Sequence, residues 1–237
     1  ANHHYAIMKK HDSSNFGYFV NDLGKRYHIN ILLIDDYDEL PQVLNELNHE
    51  IKRKNLFFSG VFDRLPYEQD IFANSLCRKL TEKLIERNYT IYTGYGRNFG
   101  NYLAGYSLQY LLLNNKSINK YLVMRPFLKT MSAQEQSAHR EMLINDCHIA
   151  LFMFGQIPAG NDYANSKGMW DEYEIAKNKN KIIIPVGCTG YTAKEIWADI
   201  KQNITLYPYL EKYIYELNKL NTDKVVDVIL QILNEVC

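Results

Sequence analysis

The chain carries no surplus charge of either sign, no CxxC pair and no long apolar run. Lys and Arg number 27, as do Asp and Glu, for a formal net charge of +0. A protein that holds nucleic acid through its phosphates needs a basic excess, so no nucleic-acid partner is expected. The four cysteines, Cys77, Cys147, Cys188 and Cys237, lie far apart in the sequence. Zinc sites and redox dithiols need close pairs, so these four read as buried thiols and no metal is expected. No apolar stretch reaches the roughly 18 residues of a membrane span, and no secretory leader is visible. The expectation is a cytoplasmic protein without a membrane partner. The spacing of His139 and His148 supports no Ser–His–Asp or Cys–His arrangement. Internal repeats and low-complexity segments are missing as well.

What is present is a globular composition. The 237 residues are 46% hydrophobic and 23% charged, enough apolar material for a packed core and too little charge density for global disorder. The 19 tyrosines suit amphipathic core edges or stacking on a nucleobase, and composition does not separate the two.

The first fifty residues read as strand Tyr5–Met8, a helix from Phe16 to Gly24, strand Ile29–Ile34 and a helix from Tyr37 to Ile51. Leu40, Val43, Leu44 and Leu47 share one face of that last helix. Two strands and two helices are too few for an independent core of this type, so residues 1–52 look like the tail of another α/β domain. The pattern resets at Asn55. Short apolar runs recur at Leu56–Phe58, Thr90–Tyr92, Tyr121–Met124, Ile149–Phe154 and Ile182–Val186, with helical patterns between them. Helices follow at Thr192–Gln202 and Thr222–Val236. Alternation of this kind predicts a Rossmann-like open parallel sheet of about five strands with helices on both faces, over residues 53–237. Right-handed crossovers then bring every strand's carboxyl end to one rim, where such sheets bind ligands.

Several candidate binding residues fall on that rim. Ser59-Gly60 follows the first strand, where glycine lets a ligand approach the backbone and the hydroxyl can donate to phosphate. Asp63 and Arg64 share its loop. Gly94, Gly96 and Gly100 follow the second strand in a G-x-G-x-x-x-G spacing, one residue longer than the dinucleotide fingerprint, with Arg97 inside it. Arg125 ends the third strand. Arg140 lies in a helix over Gln134–Asn145, where a semi-buried guanidinium needs a carboxylate or phosphate partner. Lys167 and Gly168 open a further helix, and Glu172 falls in its first turn. A carboxylate there is favoured by the helix dipole; it suits ribose hydroxyls, and equally an ion pair with Arg140. The segment Gly155–Gly168 is long and polar, and reads as a loop suited to a lid.

The turns at Ser59-Gly60 and Gly94–Gly100, the helix segment Ala138–Met142, strand Ile149–Phe154 and the Gly168-x-x-x-Glu172 junction together resemble the SLOG superfamily, which includes the Lonely-guy phosphoribohydrolases and the DNA-processing protein Smf/DprA. Arg140 and Glu172 match the places of the Lonely-guy arginine and catalytic glutamate. The Pro-Gly-Gly-x-Gly-Thr phosphate cradle of those enzymes is missing: an inserted segment follows Phe154-Gly155, and Met169 replaces the threonine. Nucleotide binding is therefore expected without hydrolysis, and a phosphoribohydrolase is the alternative. The segments His4–Met8 and Ile31–Tyr37 look like the closing strands of a sirtuin-like domain. A sirtuin-like NADase fused to a SLOG domain is similar to the effectors of Thoeris antiphage systems. That resemblance implies a homo-oligomeric sensor without a cofactor. Its ligand is a cyclic ADP-ribose isomer made by a Toll/interleukin-receptor-type enzyme, and binding activates the NADase. By position Arg140 and Glu172 are similar to that family's ligand-binding arginine and glutamate; with the rim residues Ser59, Gly60, Arg64, Gly94, Gly96, Arg97, Gly100, Arg125, Lys167 and Gly168 they make up the expected ligand contacts, and no catalytic residue is expected within this segment.

Overall fold

The computed structural model describes residues 4–10, 17–27 and 29–237. His3, His11, His28 and the expected helix start at Phe16 lie outside the described residues. The chain divides into two compact units, Ala1–Ile51 and Lys52–Cys237.

In the first unit, β1 (His4–Lys9) pairs in parallel with β2 (Ile29–Ile34), from His4↔Ile29 to Lys9↔Ile34. Between them runs α1 (Gly17–Tyr27), three residues beyond the expected end at Gly24. After β2, Asp36 starts a short 3₁₀ turn, Tyr37–Glu39. Its carboxylate accepts from the Tyr37 N–H, and Glu39 reaches back to the Asp36 N–H. Such reciprocal capping satisfies donors a helix start leaves open. The α-helix proper, α2, runs Leu40–Lys52 and buries no residue fully.

The second unit is built on five parallel strands: β3 (Asn55–Val61), β4 (Thr90–Thr93), β5 (Leu122–Met124), β6 (Ile149–Phe154) and β9 (Ile182–Val186), in the order β5-β4-β3-β6-β9. Every residue of β6 is buried, as a central parallel strand covered on both faces requires. Helices α3 (Tyr67–Glu86), α4 (Arg97–Leu113) and α9 (Thr222–Val236) pack together. So do α6 (Ala133–Asn145), α7 (Lys167–Asn178) and α8 (Tyr191–Gln202). A one-turn helix, α5 (Ile118–Tyr121), precedes β5 and takes up Tyr121.

The order of the strands positions the site. From β3 the chain winds outward through β4 to β5. It then returns to the other side of β3 and winds away through β6 to β9. The reversal leaves a crevice beyond the carboxyl ends of β3 and β6, where open α/β sheets bind ligands. Glycine is required beside it. A Cβ on Gly96 would lie 2.3 Å from the Gly60 carbonyl oxygen, and one on Gly60 would lie 2.5 Å from the Phe99 ring. The β3 and β4 loops meet only because both positions lack a side chain.

One expected loop is regular structure. Gln156–Ala159 (β7) and Asp162–Asn165 (β8) form an antiparallel hairpin. Gly160, at φ +65°, and Asn161 make the two-residue turn, a pairing that tolerates the positive φ such turns need. The segment read as a lid loop is therefore a hairpin whose shape is set by its own hydrogen bonds.

Below the crevice, Phe99 and Phe62 both pack on Phe154, at ring-centroid separations of 5.6 and 5.0 Å. Phe99 is fully buried. Phe99→Ala is expected to destabilise the second unit by about 3–5 kcal/mol, measured by urea unfolding; a loss under about 1 kcal/mol would contradict this account of the core.

Candidate functional site

The crevice is a cavity of about 150 Å³. Its walls come from the end of β3 (Ser59, Gly60, Val61), the loop after β4 (Gly94, Gly96), Phe127, Arg140 on α6, Ile157 on β7, and Ser166, Gly168, Met169 and Glu172 at the start of α7. Most of this wall is apolar or backbone, and Arg140 is its one cation among the described residues.

Arg140 is held by what surrounds it. Ser132 caps α6 and Glu135 completes the capping box, fixing where the helix begins. The guanidinium carbon sits 5.0 Å over the Phe127 ring, a cation–π contact. Phe127 is itself wedged against His139, ring centroids 4.7 Å apart. Arg140 Nε lies 3.7 Å from Glu172 Oε1, with both side chains at least 86% buried. That nitrogen is buried with no hydrogen-bond partner. Unpaired buried donors are rare, because losing water without replacement costs about 1–3 kcal/mol.

Helix α7 faces this guanidinium with its N-terminal end. Ser166 caps the helix by accepting the Met169 N–H. The N–H groups of Lys167 and Gly168 precede any intrahelical acceptor. A Cβ on Gly168 would lie 2.7 Å from an Arg140 guanidinium nitrogen, so glycine lets the cation reach the first turn. A positive charge at the positive end of a helix is unfavourable by itself. An anion seated between the two would satisfy both, along with the open Nε donor.

Glu172 stands in the second turn of α7, not the first as the sequence suggested, because the helix begins at Lys167. Dipole stabilisation fades within one turn. Burial therefore dominates and pushes the carboxyl up to about 7, against the opposing pull of the Ser59 hydroxyl and Arg140. Ser59 Oγ donates to Glu172 Oε2 at 2.5 Å, so the hydroxyl expected to meet phosphate is engaged by the carboxyl group.

The family described as the Sir2- and TIR-associating SLOG family, STALD, matches residues 39–236. The chain belongs to that family. Among curated proteins it is similar to three named NAD(+) hydrolase ThsA. It is 26% identical to the one from Bacillus cereus (strain MSX-D12) over 96% of this chain and 52% of that protein. For Enterococcus faecium the figures are 29%, 98% and 54%, and for Cytobacillus dafuensis 28%, 84% and 41%. The chain thus spans about half the length of the relatives it matches. No helix among the described residues is long and apolar enough to cross a membrane.

The other sequence-derived candidates lie off the cavity wall of this STALD domain. Arg125 leaves the rim: its guanidinium runs across the Tyr92 ring, 5.8 Å from the centroid, to Asp146 at 2.8 Å. Arg97 pairs with Asp63 at 2.8 Å in solvent. Gly100 serves the turn, since a Cβ there would lie 2.8 Å from the Tyr95 backbone, itself at φ +56°. Lys167 is exposed at the first position of α7. The Arg64 backbone N–H is taken by Gln156 Oε1 at 3.2 Å. His139 Nε2 contacts the Arg125 carbonyl at 2.9 Å. Among the residues that sequence reasoning missed are Phe127, Ile157, Ser166 and Met169. Ser166 carried a signal, as a serine just before a helix is a preferred cap. The other three are apolar, and nothing in their spacing marks a wall.

A carboxyl group raised from 4.5 to about 7 binds its proton more tightly in the folded chain. Its contribution to stability is full below pH 4.5 and is lost as pH rises through about 7. Wild type is expected to lose about 3 kcal/mol from this group between pH 4.5 and 8. Glu172→Gln should flatten that part of the profile. Melting curves of both proteins across this range would contradict the assignment if their pH dependence were the same.

Proposed function

We propose that this chain is the sensor part of an NAD⁺-hydrolysing effector of Thoeris type, and that its crevice binds a cyclic ADP-ribose isomer. The observation that carries the reading is the buried Arg140, with its open Nε donor, against the glycine-opened N-terminus of α7. Guanidinium and helix N-terminus together form a phosphate receptor. Glu172 lies beside it as an acceptor for ribose hydroxyls. The family's association with Sir2 and TIR proteins, and relatives named as NAD(+) hydrolases, support the same reading.

In this proposal a Toll/interleukin-receptor-type enzyme supplies the signal, a sirtuin-like domain performs the NAD⁺ cleavage, and the chain works as a homo-oligomer. Occupancy of the crevice favours one arrangement of the assembled domains over another, as any ligand-driven switch requires. Light scattering with and without ligand tests the assembly step, and an unchanged monomer would rule it out.

A second reading is a nucleotide 5′-monophosphate phosphoribohydrolase. The buried carboxyl group raised to about 7 next to an arginine favours it, since such a group can exchange protons near neutral pH. Against it stand the hairpin and Met169, where the enzymes carry their phosphate cradle.

Calorimetric titration with cyclic ADP-ribose isomers and with ADP-ribose, beside incubation with AMP, separates the two. The sensor binds an isomer and returns it unchanged. Arg140→Ala then loses on the order of 2–5 kcal/mol of binding, roughly thirtyfold or more in Kd. Release of adenine from AMP, abolished by Glu172→Gln, would decide for the enzyme.

A further inference from the structure

We propose that the outer part of the β7–β8 hairpin, beyond Gln156, is a lid over the crevice, with its base held by Thr192. This rests on reading the crevice as a site for a nucleotide-sized ligand. The cavity measures about 150 Å³, whereas pockets that enclose such ligands run from about 300 to 1,000 Å³. To enclose one, rather than hold it at the open mouth, a wall must withdraw. Most walls cannot: β3, α6 and α7 belong to the packed sheet and its helices. The hairpin stands outside the main sheet as a separate two-stranded ribbon, and an isolated ribbon of that kind is marginally stable at best. It reaches the cavity through Ile157, while Pro158 to Asp162 are exposed.

Its base is pinned: Gln156 is buried, its Oε1 accepts the Asp63 and Arg64 N–H groups at 3.1 and 3.2 Å, and its Nε2 donates to the Tyr191 hydroxyl at 3.1 Å, so the part able to swing is the ribbon beyond it. Phe154, at φ +63°, is held in the aromatic core, with its N–H on Thr189 Oγ1 at 2.7 Å. Gly155 follows at φ +110°, and the chain turns sharply into the hairpin there, with the Gly155 N–H bonded to the Val61 carbonyl at 2.9 Å. At the far end Ser166 closes the loop, its N–H bonded to the Gly155 carbonyl at 2.8 Å. The buried Thr192 hydroxyl ties both ends, accepting the Ser166 N–H at 2.7 Å and donating to the Gly155 carbonyl at 3.1 Å. On the surface, Asn165 is held to Glu195 at 2.5 Å.

Hydrogen exchange read by mass spectrometry tests the lid without any ligand. In wild type, peptides spanning residues 156–165 are expected to exchange at least tenfold faster than those of β6. Thr192→Val and the exposed Glu195→Ala are each expected to speed the hairpin several-fold while leaving β6 unchanged. Should Thr192→Val fail to fold, Glu195→Ala decides. A hairpin that exchanges as slowly as β6 in wild type and responds to neither substitution overturns the lid.

Titration with a cyclic ADP-ribose isomer adds an independent arm. Binding with slowed hairpin exchange supports the lid. Binding with hairpin exchange unchanged overturns it and leaves the ligand reading intact. If no isomer and no ADP-ribose binds, the ligand reading falls, and the ligand-free exchange still judges the lid.

Discussion

A guanidinium buried beside a carboxyl group and at the positive end of a helix is the constraint around which the rest of this domain is arranged. Arg140 lies 3.7 Å from Glu172 and over an aromatic face, and its Nε has no hydrogen-bond partner within the protein. Each of those is poorer than hydration, since buried charges need both pairing and hydrogen bonds to recover what they lose. The surrounding fold holds them in place: a capping box starts α6, Phe127 is wedged beneath the cation, and Gly168 clears the path to α7. An unsatisfied polar group of this kind in a native structure calls for a specific reason, such as strain, a chemical role or a bound water or ion.

The same arrangement explains why the carboxyl group behaves as it does. Glu172 lies one turn too deep in α7 for the helix dipole to hold it ionised, and burial takes over. The Ser59 hydroxyl bonded to it moderates the effect. Protonation of Glu172 leaves Arg140 as the dominant charge facing the cavity, which favours anions there. Sheet topology supplies the location, because the winding reverses between β3 and β6.

Much of this was legible in the chain. The five strands were readable because parallel strands buried on both faces are near-continuous apolar runs; Ile149–Phe154 and Ile182–Val186 fall where those runs do. Arg140 was readable because it is a charge set in apolar surroundings, and Glu172 because it falls near the start of a helix. The hairpin at Gln156–Asn165 was harder. Its Gly160-Asn161 turn is a hairpin signal, but the flanking strands are four residues each and weakly alternating, so polarity suggested a loop. Arg125 was misplaced toward the rim for another reason. A residue's position at a strand end says nothing about the direction of a long side chain, and Asp146 drew it away.

By its residues alone the chain determined its alternating strands and helices, its lack of charge bias and the identities of the pair that matters. Those are properties of local pattern and composition, which sequence spacing carries directly. Only the tertiary structure decided that Arg140 meets Gly168 and Glu172, that Ser59 serves the carboxyl group, and that an apolar wall of Phe127, Ile157 and Met169 surrounds them. Contacts between residues 28 to 113 positions apart in the chain depend on strand order and helix packing, and no local pattern encodes which side chains will face one another.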